Sequence, residues 1–87
     1  MTLEKTLLAA LAPICPASLP PATVMQKIND SGACAERAEL ANTTAAVARL
    51  VKQGWCAIDV EYDGAERWRA TPEGKVRWVM DGRPAIG

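Results

Sequence analysis

Residues 47–74 read VARLVKQGWCAIDVEYDGAERWRATPEG, and the change of period inside this stretch decides the fold. Up to Gln53 the apolar residues Val47, Leu50 and Val51 recur at helical spacing, and Gly54 follows as a stop. From Cys56 the period drops to two: Cys56, Ile58, Val60 and Tyr62 alternate with Ala57, Asp59 and Glu61, as in a strand with one buried face. Asp63-Gly64 signals a turn. A three-residue loop of Tyr62, Asp63 and Gly64, with Gly64 left-handed, sets the register of a hairpin. Ile58 then faces Trp68 and Cys56 faces Ala70 on the core side, while Asp59 faces Arg67 outside. Thr71-Pro72-Glu73-Gly74 opens a helix, with Thr71 as N-cap, Pro72 at the first helical position and Glu73 near the positive end of the dipole.

Upstream, Leu3, Leu7, Leu8 and Leu11 follow the N-cap residue Thr2 at helical spacing and Pro13 closes them, predicting a first helix over residues 3–12. Residues 13–21 read as a connector. Residues 23–31 carry Val24, Met25 and Ile28 on one face, with Pro20 and Pro21 suited to a helix start and Gly32 to a left-handed cap. Residues 35–53 are alanine-rich, with Leu40, Thr44, Val47, Leu50 and Val51 on one side and Asn42, Ala45, Arg49 and Lys52 on the other. Asn42 is itself a capping residue, so this segment reads either as one helix or as a short helix followed by a longer one. After Val76, Val79 and Met80 pack down the last helix, residues 81–87 read as a frayed tail. The expectation is one domain over residues 1–87, with its core at about 3–80.

At 87 residues, nearly half of them apolar and about a quarter charged, the chain suits one folded unit with one core. Pro13, Pro16, Pro20 and Pro21 interrupt its longest apolar stretch, which therefore cannot be a membrane span. Met1 to Lys5 lack the basic start and apolar middle of a signal peptide, so a cytoplasmic location is expected. Cys15, Cys34 and Cys56 form no C-x-x-C and no histidine is present. A metal site is not expected, and the thiols read as small hydrophobes in a reducing compartment. With no phosphate-binding glycine loop and no G-x-S-x-G, and with nothing to activate Cys34, neither an enzyme nor a cofactor is expected. Formal net charge is zero, so any binding surface must be local.

The order helix, helix, helix, hairpin, helix resembles the winged-helix (winged helix-turn-helix) transcriptional regulators, in particular the MarR-like and PadR-like groups. Val47, Leu50, Gly54 and Trp55 match the pattern that ends their recognition helix. Thr71 to Gly74 match the return from their wing. The resemblance covers residues 20 to 80 or so. It implies an α+β fold of three helices, a two-stranded β-hairpin wing and a short C-terminal helix, with double-stranded DNA as partner. The third helix would lie in the major groove, with Asn42, Thr43 and Arg49 as base readers and Lys52, Arg67 and Arg69 as backbone contacts. The protein would act as a monomer or as a homodimer through its terminal helices.

Each of these residues also has a plainer reading. Asn42 suits a cap or solvent as well as a base, and Arg49 and Lys52 suit a solvated helix face. Arg67 and Arg69 suit cross-strand pairing with Asp59 or Glu61. Over residues 55–70 two arginines stand against four acids, so the wing is net acidic and its tip should repel phosphate. That charge supports an alternative: a winged-helix module that binds protein, without DNA, through Asp63, Glu66 and an exposed Trp78.

Overall fold

The computed structural model describes residues 1–86. Helix α1 spans Leu3–Leu11 and runs into a 3₁₀ turn at Ala12–Ile14. A short strand β1, Ser18–Leu19, precedes helices α2, Pro21–Ser31, and α3, Leu40–Lys52. Strands β2, Cys56–Val60, and β3, Glu66–Ala70, form the hairpin, and α4 spans Pro72–Met80. The sheet is antiparallel in the order β1-β3-β2. The α+β arrangement of three helices, wing and C-terminal helix is present, with one addition. The connector contains β1, which pairs Ser18 with Arg69 and Leu19 with Trp68.

The hairpin register is the expected one: Cys56 opposite Ala70, Ile58 opposite Trp68, Asp59 opposite Arg67. Glu61 N–H donates to the Ala65 carbonyl, closing a loop of three residues, and Gly64 takes the left-handed φ of 88° that this turn requires. Thr2 and Thr71 cap α1 and α4 by accepting from the N–H groups of Lys5 and Gly74. Each such cap stabilises its helix by about 1 kcal/mol.

The core lies between the three N-terminal helices and the inner face of the sheet. Leu7, Leu11, Val24, Ile28, Val47 and Trp68 are its largest buried side chains. Burying an aliphatic side chain of this size contributes about 1.5–3 kcal/mol, so these residues hold helices and sheet together. The Trp68 indole N–H is buried without a hydrogen-bond partner among the described residues.

Three expectations change. Residues 35–39 are not helical: the Asn29 side chain accepts from Ala38 N–H (2.7 Å) and donates to the Ala38 carbonyl (3.0 Å), holding this turn extended until α3 begins. Of the two readings of residues 35–53, neither a single long helix nor a helix before Leu40 is observed. The buried stripe of α3 is also rotated from the expected one. Thr43, Ala46, Val47 and Leu50 face inward, whereas Leu40, Thr44 and Val51 are exposed. Small residues allow α3 to lie close against its neighbours, and that close approach outweighs burial of Leu40. Finally, the tail expected to fray folds back. Arg83 N–H donates to the Trp78 carbonyl, the Trp78 indole donates to the Pro84 carbonyl, and Ile86 packs against the core. Gly87, the last residue of that tail, lies outside the described residues.

Candidate nucleic-acid interface

A helix of period 3.6 that buries Thr43, Ala46, Val47 and Leu50 must turn Ala41, Thr44, Ala45, Ala48 and Lys52 outward. All five are exposed. The outer face of α3 is therefore a low surface of three alanines and a threonine, ending in one cation. Lys52 makes no ion pair among the described residues. Arg49 stands at the edge of this face beside α1, where its Nε donates to Glu4 Oε1. The Glu4 carboxyl is held below its ordinary value, first by a main-chain hydrogen bond at its own position, offset in part by desolvation, and then by Arg49.

The other expected base readers are placed differently. Thr43 is fully buried and its hydroxyl is bonded to Asn42 Oδ1, so it presents nothing to a groove. This corrects its assignment: it lies on the inward stripe, one helical position from the outward Thr44. The Asn42 side chain builds the start of α3. Its Oδ1 accepts from Glu39 N–H (2.8 Å), and its Nδ2 donates to the Arg37 carbonyl (2.8 Å) and to Glu36 Oε2 (3.1 Å). With both amide donors engaged, the bidentate geometry that would recognise adenine is already taken.

The wing arginines are engaged as well. Arg69 Nε pairs with Asp59 Oδ2 at 2.8 Å. Arg67 donates to Ser18 Oγ (2.9 Å) and to the Ser18 carbonyl (2.7 Å), with Glu61 3.4 Å away. Arg67 thus ties β1 to the wing. Both acids lie diagonally across the strand pair, within reach of long side chains. Ser18 as a partner had no signal in the sequence, because β1 exists only through its pairing with β3.

At the wing tip Asp63 and Glu66 are exposed, and beside them Tyr62 is fully exposed and Val60 is 68% exposed. Tyr62 was legible as a loop residue, but its complete exposure follows only from the turn. Trp78 is not part of this patch. It is half-buried against the core with its N–H satisfied, so the exposed tryptophan expected for a protein-binding surface is absent; Val76, Val79 and Met80, expected to pack α4 down, are instead exposed, and the helix is held by Gly74 and Trp78. Trp55, also half-buried, carries the Arg77 guanidinium 5.1 Å from its ring centre.

Among the described residues no three acids, cysteines or histidines are grouped to hold a metal, and no helix is long and apolar enough to cross a membrane. Cys56 is buried, and that burial pushes its thiol up to about 12, so the group is protonated and unreactive at neutral pH.

No protein-family model matches the sequence, and no curated protein does. The structure is similar to the crystal structure of SSV1 F-93, with a TM-score of 0.70 at 19% sequence identity, over 92% of this chain and 81% of that one. The chain has the winged-helix fold.

Proposed function

We propose that the protein is a small DNA-binding regulator of the winged-helix type, working in the cytoplasm, with the outer face of α3 in the major groove of double-stranded DNA. The observation that carries this reading is the low profile of Ala41, Thr44, Ala45 and Ala48 on one exposed helix face, with Lys52 and Arg49 at its end and edge. Nothing on that face is long enough to hold the helix away from base edges. Alanine and the threonine methyl suit contact with thymine methyl groups, while Lys52 and Arg49 suit flanking phosphates. Arg67 and Arg69 are left out of the contact set because their guanidinium groups are committed to the sheet. With so few free cations, the salt dependence should be shallow and the affinity of a single copy weak.

A second reading rests on the wing. Tyr62 and Val60 stand exposed beside Asp63 and Glu66, and an acidic tip with an aromatic anchor suits a basic protein surface better than phosphate. One titration separates the two. A fluorescent mixed-sequence duplex is titrated with the protein, followed by anisotropy, at low and at moderate salt. Binding that weakens with salt supports α3 as a groove-binding helix. Its absence at low salt overturns that reading and leaves the wing as the working surface.

A further inference from the structure

Two main-chain hydrogen bonds, one at each end of the hairpin, fix which groups of β2 are already used. Thr71 N–H donates to the Trp55 carbonyl, and Glu61 N–H donates to the Ala65 carbonyl. Bonded and unbonded pairs alternate along an antiparallel ladder, so Ala57 and Asp59 exchange their bonds with Arg69 and Arg67. Ile58 and Val60 then turn N–H and C=O away from β3. Strand β2 is the last on that side of the sheet, and no other main-chain group among the described residues meets theirs. Cys56 turns the same way but is buried, so the accessible row begins at Ile58.

The side chains along this edge divide by chemistry. Ile58 is half-buried and Val60 largely exposed on one face, with the fully exposed Tyr62 following in the turn, whereas Asp59 and Glu61 stand on the other face. Arg69 and Arg67 pair with those acids, but from one strand further in, and their side chains are 34% and 35% exposed against 46% and 49% for Asp59 and Glu61. A strand arriving beside β2 therefore meets carboxylates before guanidinium groups. We propose that β2 takes up an extended segment of a partner protein in which basic residues alternate with apolar ones, added antiparallel as a further strand of the sheet. The apolar residues of that segment lie opposite Ile58 and Val60 and exchange hydrogen bonds with them. Its basic residues lie opposite Asp59 and Glu61, with their N–H groups directed away from β2. The proposal rests on the reading of the wing as a protein-binding surface, and it asks nothing of α3.

A fluorescein-labelled peptide of alternating lysine and valine, about seven residues long, is titrated with the protein at low salt and followed by anisotropy. Binding is expected. N-methylation of its valines, which removes the donors aimed at β2, should weaken binding about tenfold or more, while N-methylation of its lysines should leave it unchanged. Amide hydrogen exchange at Ile58 and Val60 should slow when the peptide is bound. Asp59→Asn combined with Glu61→Gln should weaken binding severalfold with the circular dichroism unchanged. An oligolysine of the same length separates strand addition from a merely acidic surface. If it binds as well as the alternating peptide, or if the two N-methylated peptides bind alike, the wing remains a surface for basic partners and strand addition is overturned. If neither peptide binds, both are overturned. Self-association of the protein that the peptide fails to displace assigns the edge to a second copy and overturns the proposal as well.

Discussion

A Cβ at position 74 would collide with the main-chain carbonyl of Trp55. Gly74 lies in the first turn of α4, which therefore sits directly on the chain leaving α3. The same junction is fastened by Thr71, whose N–H donates to the Trp55 carbonyl (3.0 Å) and whose hydroxyl donates to the Gly54 carbonyl (2.6 Å) and accepts from Gly74 N–H (3.0 Å). The two motifs that point to the fold, Gly54-Trp55 and Thr71 to Gly74, are thus two halves of one clasp.

Gly74→Ala should accordingly be among the most damaging substitutions outside the core. Because the obstacle is backbone, which cannot rotate aside, the expected loss is about 2–3 kcal/mol, or a fall of roughly 10 °C or more in Tm. Thermal denaturation followed by circular dichroism measures it. Thr71→Ala, which removes the hydroxyl together with its methyl group, should cost about 1 kcal/mol.

For DNA binding the prediction is asymmetric. Lys52→Ala should weaken the anisotropy-measured affinity severalfold and lower the salt slope by about one. Arg67→Ala and Arg69→Ala should leave affinity unchanged, because those guanidinium groups serve Ser18, Glu61 and Asp59. An equal loss on Arg67→Ala would place the wing, rather than α3, against the phosphates. Replacing thymine by uracil in the duplex should reduce binding if Ala41, Thr44, Ala45 and Ala48 contact methyl groups.

Glu4 restrains Arg49, so Glu4→Gln should release the guanidinium and tighten DNA binding at neutral pH. Glu4 also shapes acid stability, chiefly through the main-chain hydrogen bond at its own position and then through Arg49. Its carboxyl titrates below the ordinary 4.5 when folded, so the unfolded chain binds the proton first and the contribution is present above that value. Stability is lost as pH falls from about 4.5 through the folded value, and urea titrations across this window should show a flatter acid limb for Glu4→Gln.

At the alkaline end Cys56 acts in the opposite sense. Its folded value of about 12 against an ordinary 9.0 means that the unfolded thiol ionises first, so stability falls as pH rises above about 9. Iodoacetamide at pH 8 should spare Cys56 in the native protein and label it only in urea, which mass spectrometry of the digested chain would show.

The hairpin was legible to the residue because two independent signals agree there: period-two alternation from Cys56 and the Asp63-Gly64 turn. The clasp was legible in its cap but not in its contact, since the meeting of Gly74 with Trp55 is tertiary. Strand β1 was not legible. Ser18 and Leu19 sit among prolines and become a strand only by borrowing hydrogen bonds from β3. The rotation of α3 was not legible for a related reason: Leu40 and Val51 outrank Thr43 and Ala46 in hydrophobicity, but close packing selects the smaller pair. Asn42 shows the limit most directly. Its residue type suits cap and base equally, and the extended turn held by Asn29 makes it a cap.

The acidic wing has a consequence beyond any ligand. Strand β2 is an open edge of the sheet, and such an edge invites strands from neighbouring molecules to join it. Every copy brings Asp59 and Glu61 along that edge and Asp63 and Glu66 at the tip beside it, against only Arg67 and Arg69. Two edges can therefore meet only by pressing like charges together, which protects the protein from stacking into aggregates when it is abundant.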